Sequence, residues 1–317
     1  MDESDELLSI RAAELYYEED QTQDQIGQAL RVTRWKVGRL LAQAKANGFI
    51  RIEIVHPRAR RVHLERRMRD ELGLSDAIVV STTGVSGRDE IQARAAQAAA
   101  DYLSTLRPVP RLLGVSWGRT MYEVAARLRT GWASGVNVVQ INGGISMNKR
   151  PGNAAATAVA IAQKAGGQVA LLPSPAILER LETKQAIESD RVVAGVLQMA
   201  RNATAYLFSA GQADHDSAHI ESGYLSPADL DALVAKGAVG DVVGRYVNAQ
   251  GEIVDPALDD RTIGLSLEEL RAAHTTIAVI AGPVKHAIAR AVVSSGLCTV
   301  LITDESTALD LLDSPGR

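Results

Sequence analysis

The chain is 317 residues long, 46% apolar and 23% charged, with one cysteine, Cys298. Those values suit two ordinary globular domains better than one large one, and they exclude a disordered or low-complexity chain and a disulfide-stapled scaffold. No run approaches the ~20 apolar residues of a membrane span. Residues 1–6 hold four carboxylates, the reverse of a signal peptide's basic start, so the reading is a soluble, cytoplasmic protein.

The net charge of −4 hides a local asymmetry. Residues 1–30 hold nine Asp or Glu against Arg11 alone, a balance of −8, while residues 31–70 hold twelve Arg or Lys against Glu53, Glu65 and Asp70, a balance of +9. A solvated helix face would mix both signs. So concentrated a basic block points to an anionic polymer as partner, nucleic acid first.

In chain order, residues 7–17 read as an amphipathic helix with Leu7, Leu8, Ile10, Leu15 and Tyr16 on its apolar side. A second helix opens at Thr22, where Thr22-Gln23-Asp24-Gln25 fits a capping box, hydroxyl first and glutamine at the third helical position. Ile26, Ala29 and Leu30 form its buried stripe, and Gly27 is small enough for a close helix crossing. Arg31-Val32-Thr33 is the turn, with Val32 inward and Thr33 as the next N-cap. The third helix, residues 34–47, buries Val37, Leu40, Leu41 and Ala44 and stops at Gly48. Two short helices on a three-residue turn make a helix-turn-helix.

The third helix exposes Arg34, Trp35, Lys36 and Arg39 at the end that enters a major groove. Arginine and lysine pair with guanine edges or phosphates, and Gln23 and Gln25 reach backbone oxygens. Trp35 either meets a sugar or thymine methyl or packs on the neighbouring helix. The expected DNA-binding set is therefore Thr22, Gln23, Gln25, Thr33, Arg34, Trp35, Lys36 and Arg39. Residues 49–54 alternate like a strand and read as a short wing, which closes a DNA-binding domain at residues 1–55.

Residues 56–73 read as a connector whose helix covers 58–72, where Leu64, Met68 and Leu72 form a narrow apolar seam among arginines. The seam suits the next domain or a second subunit. DNA-reading helices work as symmetric pairs, so a homo-oligomer, dimer or tetramer, is expected.

Residues 74–317 alternate strands and helices. Strand-like runs fall at 77–81, 112–115, 136–141, 169–172, 205–208, 276–280 and 299–302, with helical patterns at 121–128, 154–165, 286–295 and 307–312. Near-continuous apolar strands between helices imply an α/β fold with a parallel sheet covered on both faces. Residues 245–254 stand apart as a β-hairpin with a glycine-containing turn.

A ligand of such a sheet sits beyond the carboxyl ends of the strands. Gly114-Val115-Ser116-Trp117-Gly118-Arg119-Thr120 follows a strand and opens a helix, and its amides, two hydroxyls and guanidinium suit a phosphate. Ala281-Gly282-Pro283-Val284-Lys285 repeats the arrangement and adds a second cation. Asn142-Gly143-Gly144 and Ser209-Ala210-Gly211-Gln212 end two further strands, their glycines allowing close approach of a ligand. Gly237-Ala238-Val239-Gly240-Asp241 adds a carboxylate for sugar hydroxyls.

Two enzymatic alternatives stay open on the same residues. Gly114-x-Ser116-x-Gly118 matches the nucleophile elbow of α/β-hydrolases, with Asp241 and His274 in permissible triad order. Asp241 would also serve as the general base of a sugar-phosphate isomerase. Neither accounts for residues 1–55, so no catalytic residue is assigned. The six histidines show no ligand cluster, since His215 and His219, at i, i+4 spacing, fall in a polar loop-like stretch; no metal or cofactor is expected.

Taken together, Leu15-Tyr16-Tyr17-Glu18, Thr22-Gln23-x-x-Ile26, Lys36-Val37-Gly38-Arg39-Leu40-Leu41, Gly114-x-Ser116-Trp117-Gly118-Arg119-Thr120, Asn142-Gly143-Gly144, Gly237-Ala238-Val239-Gly240-Asp241 and Thr303-Asp304-Glu305-x-Thr307-Ala308 run in one order along the chain. In this the chain resembles the SorC family of bacterial transcriptional regulators, also called the DeoR-like or sugar-binding-domain group. The resemblance implies a winged helix-turn-helix joined to a Rossmann-like effector domain, similar to sugar-phosphate isomerases but without their catalysis. It implies binding to double-stranded operator DNA, modulated by a phosphorylated sugar or polyol. Ser116, Arg119, Thr120 and Lys285 match the phosphate side of the family's pocket, and Gly143, Gly144, Gln212 and Asp241 its sugar side. With Gly114, Trp117, Gly118 and Gly282 they complete the expected effector-binding set. Some members carry a lysine before the paired glycines that forms a Schiff base with an aldehyde effector. Asn142 stands there in this chain, which implies reversible hydrogen bonding instead.

Overall fold

The computed structural model describes residues 3–50, 59–85, 87–144 and 154–313. The chain forms two compact units, Met1–Val55 and His56–Arg317.

In the first unit α1 (Glu3–Tyr17), α2 (Gln23–Leu30) and α3 (Arg34–Ala46) enclose Ala12, Ala13, Leu15, Ile26, Val37, Leu40, Leu41 and Ala44. The caps form as the side-chain chemistry dictates. The Gln25 amide donates to Thr22 Oγ1 at 3.4 Å while the Thr22 amide donates to Gln25 Oε1 at 2.9 Å, and the Lys36 amide donates to Thr33 Oγ1 at 3.3 Å. Gly27 serves the turn rather than a helix crossing, because a Cβ there would lie 2.9 Å from the Val32 carbonyl oxygen. Two buried faces differ from expectation. On α1, Leu7 is 65% exposed and Tyr16 is exposed as well, and on α2 Ala29 is exposed while Gly27 is buried. On α1 the buried seam is made by Ala12 and Ala13 with Leu15, and Leu15 is the larger side chain of the expected face that it buries fully. Of the expected wing, residues 51–54 lie outside the described residues.

The second unit runs α4 (Val62–Leu72), β1 (Asp76–Val80), α5 (Arg88–Thr105), β2 (Leu112–Val115), α6 (Arg119–Arg127), β3 (Asn137–Gln140), α7 (Ala154–Lys164), β4 (Val169–Ala170), β5 (Ala205–Phe208), β6 (Ala210–Gln212), β7 (Gly240–Val242), β8 (Arg245–Val247), β9 (Thr276–Val279) and β10 (Val300–Asp304), with further helices between them. Seven strands form one parallel sheet in the order β1-β10-β9-β5-β2-β3-β4. These are the seven runs read as strands from the sequence. Alternate residues face opposite layers: Tyr206 and Phe208 join a core with α4 and helix His286–Ser294, and Ala205 and Leu207 join the one with α5, α6 and α7.

The apolar seam of α4 packs in this unit. Leu64 and Met68 share a core with Ala77 and Val79. Just before α4, Arg60 bridges antiparallel to Val80, and the Arg61 and Ser81 amides close the pairing at 2.8 and 2.9 Å. This segment covers the exposed edge of β1. Buried Glu65 fastens it, accepting from Arg60 at 2.7 and 2.8 Å and from the Val79 amide at 2.9 Å.

A second sheet, antiparallel and ordered β6-β7-β8, stands beside the large one. The expected hairpin is present as a bridge between Val247 and Ile253. Its first strand also pairs back onto β7, in a stretch read from sequence as a turn. Glycine is a weak strand former, and Gly240 is accepted because a Cβ there would lie 2.2 Å from the Gly211 carbonyl.

Candidate functional site

Four neighbouring strands, in the order β9-β5-β2-β3, deliver their carboxyl-end turns to one place. Together with β7 and the start of α5 these turns enclose a cavity of about 630 Å³. Of the expected effector-binding residues, Ser116, Trp117, Gly118, Arg119, Thr120, Gln212, Asp241 and Lys285 line it.

Gly114, Gly143, Gly144 and Gly282 lie outside that lining and serve the frame. A Cβ on Gly114 would sit 2.6 Å from the Tyr206 ring, and one on Gly143 would sit 2.2 Å from the Pro175 carbonyl. The Gly143 carbonyl accepts the Trp117 indole N–H at 2.6 Å, the Gly144 carbonyl accepts the Tyr224 hydroxyl at 2.6 Å, and the Gly282 amide donates to Asp304 Oδ2 at 2.6 Å.

At Gly118 the backbone takes φ 131°, open to glycine and strained for other residues, and α6 then begins at Arg119. Helix geometry leaves the first-turn amides without intrahelical partners, a setting that suits an anion. Among the described residues four cations line the cavity, of which Arg127 is paired with Glu123 and the other three bond neutral oxygens. Arg119 donates to the Asp216 carbonyl at 3.2 Å, Arg88 to Gln212 Oε1 at 3.1 Å, and Lys285 to the Ala210 carbonyl at 2.8 Å. Their hydrogen bonds therefore go to neutral oxygens rather than to carboxylates. Burial pulls Lys285 down to about 8, and the Arg119 and Arg88 charges push the same way while Asp241 and Asp214 oppose them.

The carboxylate wall is built around Asp241. Its Oδ2 accepts the Gly244 amide at 3.0 Å, and its Oδ1 lies 4.0 Å from Nδ1 of buried His219, which also meets the Tyr246 hydroxyl at 3.2 Å. Gly211 must be glycine here, since a Cβ would come within 2.1 Å of Asp241 Oδ1. The Trp117 ring stands edge-on to His219 at 6.0 Å.

Sequence reasoning missed several lining residues, among them Arg88, Gln92, Asp214 and His219. Gln92 donates to the Thr120 hydroxyl. Arg88 opens α5, whose buried stripe is Ala95, Ala96, Ala99 and Ala100, too small to stand out as an apolar periodicity. The strand at 77–81 was legible, and the turn after it carried the available signal.

The enzymatic alternatives fare differently. His274 is exposed, contacts the Thr275 hydroxyl at 3.3 Å and does not line the cavity, so Ser116, Asp241 and His274 are not assembled into a triad. His215 faces Asp231 at 2.8 Å while His219 faces Tyr246, so the i, i+4 pair does not converge on a metal.

In the first unit the outer face of α3 carries Trp35, Gly38, Arg39 and Ala42, opposite its buried stripe. Trp35 is 87% exposed, so its packing on the neighbouring helix is not observed. Arg34 lies 3.6 Å from Asp24 and Lys36 2.7 Å from Asp5. Thr22, Thr33 and Gln25 are engaged in caps, and Gln23 lies alongside α3, its Oε1 3.7 Å from where a Gly38 Cβ would be.

A helix-turn-helix whose last helix, α3, is basic and a parallel α/β unit with a cation-lined cavity, in one chain, make a sugar-binding transcriptional regulator. The family model described as "Putative sugar-binding domain" matches residues 56–313. The "Deoxyribonucleoside regulator" of Bacillus subtilis (strain 168) is 32% identical over 315 residues, covering 99% of each chain. The "Erythritol catabolism regulatory protein EryD" of Brucella abortus (strain 2308) is 28% identical over 316 residues, again covering 99% of each. The crystal structure of the full-length sorbitol operon regulator SorC from Klebsiella pneumoniae matches with a TM-score of 0.74 at 26% identity, covering 98% of this chain and 99% of that one. The chain belongs to the SorC family of sugar-binding transcriptional regulators. Among the described residues no helix is long and apolar enough to cross a membrane.

Proposed function

We propose that this protein binds double-stranded operator DNA and that a phosphorylated sugar or polyol in the second unit's cavity modulates that binding. Residues 1–55 act as a winged helix-turn-helix, residues 56–73 as the connector, and residues 74–317 as a Rossmann-like, sugar-phosphate-isomerase-like effector and oligomerisation domain. The protein works in the cytoplasm as a homo-oligomer, without a cofactor and without catalysing a reaction. The observation that carries the effector reading is the trio Arg88, Arg119 and Lys285, hydrogen-bonded to neutral oxygens beside the N-terminus of α6. Like charges gathered without paired carboxylates are stabilised by a dianion such as a phosphate ester. The printed names of the relatives, a deoxyribonucleoside and an erythritol regulator, support a carbohydrate-linked role.

The effector and the operator are linked sites. A ligand that favours one arrangement of the effector domains changes operator affinity, and the operator changes ligand affinity by the same factor. A thermal-shift screen of sugar and polyol phosphates beside their unphosphorylated forms tests the pocket. Stabilisation confined to phosphorylated compounds, and lost in Arg119→Ala, is the expected result. An effector that binds but leaves operator affinity unchanged would sink the linkage. Asp241 beside His219 keeps the isomerase reading testable: turnover of sugar phosphates without DNA binding would favour it.

A further inference from the structure

Two polar side-chain atoms of the cavity lining, Ser116 Oγ and Asn142 Oδ1, are buried without partners. Ser116 and Asn142 are each 3% exposed, and among the described residues Ser116 Oγ and Asn142 Oδ1 accept and donate no hydrogen bond. They follow neighbouring strands, β2 and β3, just beyond the registered pair Val115 and Gln140. Fully buried polar atoms are ordinarily bonded, so an unpaired couple facing one cavity marks where a ligand group belongs. The couple carries no charge. Lys285 follows β9, three strand spacings from β3, or roughly 14 Å between strand axes at ~4.8 Å each. A phosphate held by Lys285 and Arg119 therefore leaves a carbon chain to run toward Asn142.

We infer that Ser116, which the resemblance implied on the phosphate side, instead joins Asn142 in a neutral subsite that selects an alcohol over a carbonyl on the effector's carbon chain. This deepens, and rests on, the phosphorylated-effector reading above. The unpartnered Asn142 oxygen offers an acceptor, and the Ser116 hydroxyl both donates and accepts. An alcohol donates to the Asn142 oxygen while accepting from Ser116. A carbonyl only accepts, so the Asn142 oxygen stays buried without a donor, the kind of mismatch by which sites built for a hydroxyl reject its analogues. The effector class is then an alditol phosphate rather than an open-chain ketose phosphate.

The test uses the full-length protein with inorganic phosphate, D-ribulose 5-phosphate and the two alditol 5-phosphates, ribitol and arabitol, that differ from it at C2 alone. Calorimetry is expected to show at least one alditol phosphate binding about 10-fold or more tighter than the ketose phosphate. Asn142→Leu should bring that ratio close to one while inorganic phosphate binds as before. The Asn142 amide oxygen anchors no other part of the fold, and the wild-type ratio needs no variant at all. Equal or tighter binding of the ketose phosphate, or an unchanged ratio in Asn142→Leu, overturns the inference while phosphate binding stands. Failure of wild-type protein to bind any of these compounds, inorganic phosphate included, overturns the phosphate reading and this inference with it.

Discussion

Lys36 donates to Asp5 across the first unit, Nζ to Oδ1 at 2.7 Å, tying the acidic lead-in of the chain to the basic block that follows it. The Lys36 hydrogen bond holds the Asp5 carboxyl below its ordinary range, with Arg39 adding to the effect. Together with the 3.6 Å approach of Arg34 to Asp24, this ranks the cations of α3. Among the described residues, Arg39 is the cation of that helix's first two turns whose charge is not spent on a close partner.

Arg39→Ala should therefore weaken operator binding more than Lys36→Ala and lower the slope of log affinity against log salt by about one, as loss of a single phosphate-neutralising charge does. Asp5→Asn should free Lys36, tighten binding at low salt and steepen that slope. Fluorescence anisotropy across a salt series reads all three. Equal slopes for wild type, Arg39→Ala and Asp5→Asn would contradict the ranking.

Trp35 presents a large apolar surface to solvent on the outer face of α3, next to Gly38, which adds no side chain to that face. An apolar side chain in the major groove reads the thymine methyl. Duplexes selected by the protein from a random pool should lose affinity when thymines in the half-site are replaced one at a time by uracil, by about 5-fold or more at one position, corresponding to the low end of a base contact's discrimination, about 1 kcal/mol. Trp35→Ala should lose that difference but keep its non-specific binding. A Trp35→Ala protein that discriminates thymine from uracil as wild type does would place the tryptophan's role elsewhere.

Lys285 makes effector binding pH-dependent in a definite direction. Burial first, then Arg119 and Arg88, lower it from 10.5 to about 8 in the folded protein. A bound phosphate favours the ammonium, so the complex keeps its proton where the free protein has lost it. Effector affinity should fall as pH rises through about 8, with proton uptake on binding near that pH measured by calorimetry in buffers of different ionisation heat. Lys285→Arg should flatten the profile. Stability of the unliganded fold runs the other way: the unfolded chain holds the proton up to 10.5, so between about 8 and 10.5 stability rises with pH. An affinity that stays level through pH 9 would remove Lys285 from the phosphate.

Met68 is fully buried where α4 meets the large sheet. Met68→Ala should cost about 2–5 kcal/mol, the range for a large-to-small core change. Urea unfolding followed by the tryptophans of the second unit, Trp117 and Trp132, should register the loss. A cost below about 1 kcal/mol would mean that the seam is not packed as described.

Much of the fold was legible because its signals are local. Thr22 and Thr33 cap helices through atoms three residues away, and the strands of the large sheet are continuous apolar runs, which burial on both faces requires. The site was partly legible for the same reason: Ser116 to Thr120 and Lys285 sit at strand-to-helix turns, which can be found without knowing the strand order. Arg88 was hidden behind an alanine-rich helix, and β7 behind its glycines. His219 carried no local sign of its role, since its partners Tyr246 and Asp241 lie more than twenty residues away in the chain.

By itself the sequence determined that this protein has a basic helix-turn-helix followed by a parallel α/β domain, because caps, turn lengths and apolar periodicity act over a few residues and leave their mark in order along the chain. The tertiary structure alone decided which turns share a cavity. It set the strand order β9-β5-β2-β3, carried Arg88 to the cavity from the far-edge strand's connection, and moved Gly114, Gly143, Gly144 and Gly282 from the ligand to the frame. It also left Ser116 Oγ and Asn142 Oδ1 buried without partners in the lining of one cavity. Those outcomes depend on packing between segments distant in sequence, where a single close approach, such as 2.1 Å between a Gly211 Cβ and Asp241, determines what can stand at a position.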